Sequence, residues 1–139
     1  MIKGVIAMNG MYDLPNFAET GRFPTLKDAA FADRAAMEEG SPIRYVRPGA
    51  PPIMIVYGEN DLFTLREGSQ AFYSALIKQG LYGKVFLYQA AGRTHYNTLS
   101  GMGRAADQIE DVVAPMAIQL AGRELGVLDK PPSDERAAK

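Results

Sequence analysis

Three short apolar runs alternating with helix-patterned segments predict an α/β fold: about three parallel strands flanked by helices. The runs are Gly4 to Gly10, Ile53 to Tyr57 and Lys84 to Gln89. An apolar run without polar alternation is the pattern of a strand buried on both faces, as in parallel sheets. Helical segments between such strands imply right-handed crossovers, which keep the strands parallel.

The first strand, Gly4-Val5-Ile6-Ala7-Met8-Asn9-Gly10, is bounded by glycines. Met11 to Leu26 contains Asp13, Pro15, Asn16, Gly21 and Pro24, punctuation dense enough to predict an irregular excursion that covers a site. Lys27 to Glu39 is rich in Ala, Met and Glu and stops at Gly40, so a helix is expected there. Ser41-Pro42 reads as a turn into a new segment. Pro51-Pro52 leads into the second strand, whose β-branched and aromatic residues end at Gly58-Glu59-Asn60-Asp61. Arg66 to Gln79 spaces Ala71, Phe72, Ala75 and Leu76 as on one helix face and ends at Gly80. The third strand leads through Ala90-Ala91-Gly92 to an irregular segment around His95. From about Arg104 to Leu125, Ile109, Val112, Val113, Met116, Leu120 and Leu125 recur on one side of a long helix, which Pro115 is expected to kink or divide. Residues 1–126 are read as one domain and 127–139 as a polar, flexible tail.

Composition narrows the function. Fifteen Lys plus Arg against sixteen Asp plus Glu leave a net charge of -1, so neither nucleic acid nor an anionic membrane is an expected partner. The longest apolar stretch, Ile53 to Tyr57, is far short of the roughly 20 residues that span a bilayer. The N-terminal residues lack a signal-peptide pattern, which makes a cytoplasmic location the expectation. With no Cys and a single His, disulfides, thiolate metal sites and cysteine nucleophiles are excluded, and neither a metal nor an organic cofactor is expected.

In open α/β sheets, functional residues gather beyond the C-terminal ends of the strands. Three polar points follow the three strands: Asn9 to Asp13, Gly58 to Asp61, and Gly92-Arg93-Thr94-His95. Asp61 and His95, on successive strand ends, are placed to meet. A carboxylate that fixes an imidazole tautomer, while the other ring nitrogen takes a proton from a nucleophile, is the chemistry of acyl transfer. Asp61 also fits a turn or a helix cap, and an isolated loop histidine is usually without function. Tyr12 and Asp13 are candidates for lining a substrate pocket, with a strand-end turn as the simpler role.

Ser41-Pro42, Ala50 to Asp61, Gln70 and Gly92 to His95, taken in order, resemble the C-terminal motifs of esterases and lipases of the α/β-hydrolase family. The opening Gly4 to Asp13 is similar to the strand after the nucleophile-bearing unit in its carboxylesterase and arylformamidase-like branch. The resemblance spans roughly Gly4 to Leu120. It implies a partial α/β-hydrolase fold, Asp61 as the triad acid, His95 as the triad base, and a chain order of nucleophile, acid, histidine.

The family's nucleophile sits in G-x-S-x-G, and no such motif occurs in this chain. Of the five serines, Ser69 and Ser74 fall within a predicted helix, Ser100 lacks the glycine two positions before it, and neither Ser41 nor Ser133 follows a strand in the required way. The glycine-rich oxyanion loop is missing as well. Two functional classes follow. One is an esterase acting on carboxylic esters or related acyl substrates, of which this chain is the C-terminal half. The other is a non-catalytic hydrolase-fold module that binds a small apolar ligand. A flavodoxin-like binding domain is disfavoured by the absence of a glycine-rich phosphate loop. In either class a free edge on the first strand predicts a homo-oligomer.

Overall fold

The computed structural model describes residues 2–19, 30–100 and 108–122. Three strands, β1 (Val5–Met8), β2 (Ile53–Gly58) and β3 (Val85–Ala90), form one parallel sheet in the order β1-β2-β3. The register is in step across it: Val5 pairs with Ile53 and Ile53 with Val85, and Met8 pairs with Val56 and Val56 with Tyr88. The strand ends that carry the three polar points therefore lie at one level.

Among the described residues, five helices accompany the sheet: α1 (Leu14–Glu19), α2 (Arg34–Gly40), α3 (Phe63–Lys78), α4 (Asn97–Ser100) and α5 (Gln108–Gly122), with a 3₁₀ turn at Pro42–Tyr45. Alternation along β2 divides the core. Ile53 and Ile55 face Phe72 and Leu76 of α3 on one side, whereas Met54 and Val56 meet Ile109 and Val113 of α5 on the other. With helices on both faces, every residue of β2 is buried. Removing side chains of this kind from water stabilises a fold by about 1.5–3 kcal/mol each.

Three expectations are corrected. β1 is half-exposed along its length rather than buried on both faces, because among the described residues it hydrogen-bonds only to β2. The start of the expected excursion is helical: the Asp13 carboxylate accepts from the Asn16 amide, and Pro15 sits in the first turn of α1. The residues read as breakers are thus a cap and a first-turn proline. The helix expected from Lys27 is replaced, within the described part, by α2 starting at Arg34, because Asp33 caps it by accepting from Ala36 N at 2.8 Å. Residues 20–29, 101–107 and 123–139 lie outside the described residues, and with them much of the excursion, the start of that helix, Leu125 and the tail. α3 begins at Phe63, three residues before the expected start, and ends where Gly80 adopts a left-handed φ of 80°. Pro115 lies inside α5, which runs through it as one helix.

Candidate active site

The site is built from the turns that follow β2 and β3. After β2 the chain reverses through a turn in which Asp61 N donates to Gly58 O at 3.1 Å. The two turns are stitched together: Glu59 N donates to Ala90 O, Asn60 N to Arg93 O, and Gly92 N to the Glu59 carboxylate at 2.7 Å. Gly58 is required for this closeness, since a Cβ there would stand 2.5 Å from the Arg93 carbonyl oxygen. Gly92 supplies the left-handed φ of 67° that turns the chain back toward the sheet.

Beyond Gly92, Thr94 anchors the His95 segment. Its hydroxyl accepts from Asn97 N, its amide donates to Asn97 Oδ1 at 2.6 Å, and its carbonyl receives Thr98 Oγ1 at 2.6 Å. This reciprocal arrangement satisfies the first amides of α4 as a capping box does.

Asp61 and His95 come together at the same end of the sheet. The Asp61 side chain is wholly buried; its Oδ1 accepts from Leu62 N at 2.7 Å and lies 3.2 Å from His95 Nδ1, with Oδ2 at 3.4 Å. The imidazole is 39% exposed. A carboxylate held by a backbone amide and facing Nδ1 selects the tautomer that carries its proton on Nδ1. Nε2 then has its lone pair available, and among the described residues it has no hydrogen-bond partner.

A third residue joins the pair. Asn9, at the end of β1, donates from Nδ2 to the backbone carbonyl of His95 at 2.7 Å, tying the first strand to the loop after the last. It is 91% buried and has φ 50°, a left-handed conformation in which Asn is among the few tolerated side chains. Because only an amide NH₂ can face a carbonyl, the Asn9 amide orientation is fixed by this bond. Among the described residues its buried Oδ1 has no partner.

These residues border a cleft of about 570 Å³ lined by Asn9, Met11, Phe17, Asn60, Leu62, Leu65, Thr94, His95 and Tyr96. The lining is mainly apolar, with the imidazole among its few polar groups. Tyr12 and Asp13, expected beside a substrate, are not among the lining residues. Tyr12 turns into the core, stacking on Phe72 with ring centroids 4.4 Å apart, while Asp13 is occupied at the start of α1. The cleft is walled instead by Met11 and Phe17 on either side of them. Of the described serines, Ser41, Ser69 and Ser74 donate to backbone carbonyls of their own helices or helix ends, and none lines the cleft. No group of three or more potential metal ligands occurs among the described residues, and none of their helices is long and apolar enough to cross a membrane.

The arrangement of strands and helices recurs in solved structures of an esterase. The apo form of Thermogutta terrifontis esterase 2 superimposes with a TM-score of 0.64 at 22% identity, over 94% of this chain and 45% of that one. This is a partial, esterase-like α/β-hydrolase fold. The same esterase matches in its propionate-bound form, with a TM-score of 0.63 at 21% identity over 94% of this chain and 46% of that one. Phosphorylated by paraoxon, it matches with a TM-score of 0.62 at 21% identity over 93% and 42%. The present chain therefore spans less than half the length of the hydrolase-fold structures it matches. No protein-family model matches the sequence, and no curated protein matches it.

Proposed function

We propose that this chain carries the acid and base half of a serine-type esterase acting on carboxylic esters or related acyl substrates. The observation that carries the reading is the buried Asp61 carboxylate against His95 Nδ1, at the mouth of an apolar cleft and at the C-terminal ends of parallel strands. In this reading a serine from a further segment supplies the nucleophile. His95 Nε2 takes the serine proton as Oγ attacks the ester carbonyl. The imidazolium, stabilised by Asp61, returns that proton to the leaving alkoxide, and an alcohol departs from the acyl-enzyme. Water then attacks the acyl group with His95 again as base; the acid is released and the serine regains its proton. The apolar walls suit the acyl chain of a substrate, and the cleft volume falls in the range of small-molecule sites.

Two samples test this: the chain alone, and the chain together with the longer polypeptide or neighbouring gene product that bears a G-x-S-x-G unit. Aryl ester hydrolysis is expected only from the combined sample, and His95→Ala is expected to abolish it. A fluorophosphonate probe with mass spectrometry is expected to label the added segment. A combined sample indifferent to His95→Ala overturns the proposal. An adduct on this chain would transfer the nucleophile to one of its own serines, Ser100 first.

A further inference from the structure

We propose that Asn9 is a positioning residue for His95, and that its side-chain amide, acting through the His95 carbonyl, holds the imidazole against Asp61. The inference rests on the acid and base reading of that pair. Sequence proximity does not explain the contact, because the two residues are 86 positions apart and lie beyond opposite strands of the sheet. The bond passes over the end of β2, where Gly58 keeps the space clear for the Arg93 carbonyl.

The conformation of Asn9 is unusual in two respects that a mere strand end does not require. Its φ of 50° is left-handed, although its own amide is fixed in the sheet by donation to Val56 O at 2.9 Å. Its Oδ1 is buried and, among the described residues, unpaired. Asn9-Gly10 therefore keeps a side chain where a glycine would meet the backbone demand with less strain. Strained or unsatisfied groups persist where the surrounding structure holds them for a purpose. Here the side chain's one hydrogen bond among the described residues ends on the backbone of the only histidine in the chain. Asp61 holds the ring at Nδ1 and Asn9 holds the backbone that carries it, so the imidazole is fixed at two points while Nε2 remains available.

A single histidine makes the test direct. The ¹⁵N shifts of the His95 ring report its tautomer at a pH well above the ordinary imidazole pKa of about 6.5. The intact chain is expected to show mainly the Nδ1–H form, whereas a free side chain favours Nε2–H. Asn9→Gly preserves the left-handed backbone and removes the amide; Asn9→Asp preserves the shape and left-handed tolerance but, ionised, cannot donate. Both are expected to move the ring toward the Nε2–H form while circular dichroism remains native. If both retain the Nδ1–H form, or if Asn9→Asp behaves as the parent while Asn9→Gly does not, Asn9 does not position the ring through its donor. Asp61→Asn separates this from the underlying reading. A ring unmoved by Asp61→Asn sinks the acid and base pairing itself, whereas a ring moved by Asp61→Asn and unmoved by Asn9→Gly sinks only the role of Asn9.

Discussion

Tyr12 shows how a single hydroxyl is traded between the core and the site. Its ring is 5% exposed and stacked on Phe72, and among the described residues its buried OH has no hydrogen-bond partner of good geometry. Burial pushes the phenol from 10.0 up to about 12, with the Gly10 backbone beside it offsetting part of the effect. The folded chain therefore keeps this proton where the unfolded chain loses it. Since the folded pKa lies above the unfolded one, the stabilisation is fully present below pH 10 and is lost as pH rises toward 12, by an amount on the order of 2–3 kcal/mol. Tyr12→Phe removes the group that titrates and an unpaired polar atom with it, a change that is neutral or stabilising when packing is kept. Urea unfolding between pH 10 and 12 is expected to show a shallower loss of stability for Tyr12→Phe than for the parent, and phenolate absorbance to lose the tyrosine that titrates at about 12.

At the scale of elements, Ser41 joins the two helices α1 and α2. Its hydroxyl, 1% exposed, donates to Met37 O at the end of α2 and accepts from Leu14 N at the start of α1. Ser41→Ala leaves a part-buried amide and a carbonyl each short of a partner, a loss of about 1–3 kcal/mol by thermal or urea unfolding. The sequence showed Ser41-Pro42 as a turn and as one of the esterase-like motifs but not as a bridge, because a hydroxyl that joins two segments 27 residues apart leaves no local pattern. The strands were legible for the opposite reason: Ile53 to Tyr57 states its burial residue by residue, and Asp61 and His95 follow from where such strands end. α1 was obscured because Asp13 and Pro15 serve equally as breakers and as a helix start. Asn9 was visible as an Asn-Gly after a strand, a pair that signals left-handed backbone, yet its partner lay across the sheet and beyond any local rule. Met11, Phe17, Leu62 and Leu65 looked like ordinary apolar residues, and only the fold assembles them into a wall.

For the whole molecule, the outer side of β1 matters most: among the described residues no strand pairs with it. Its half-exposed residues and the 71%-exposed Ile2 before it form a strand edge, the template on which another strand adds. We propose that the isolated chain forms a homo-oligomer through this edge. Light scattering at micromolar concentration is expected to report at least twice the 15.1 kDa of one chain, and a monodisperse 15.1 kDa particle would remove the proposal. The bond from Asn9 to His95 has a further consequence, in time rather than space. It closes a loop of 86 residues, and loop-closure entropy makes contacts of long sequence separation slower to form than those of short separation. Asp61 and His95 can approach as soon as β2 and β3 pair, but the hook from β1 waits for all three strands. The ring is therefore expected to settle late in refolding, after the first strand has joined the sheet; a His95 ring signal that turns native before β1 pairs would contradict that order.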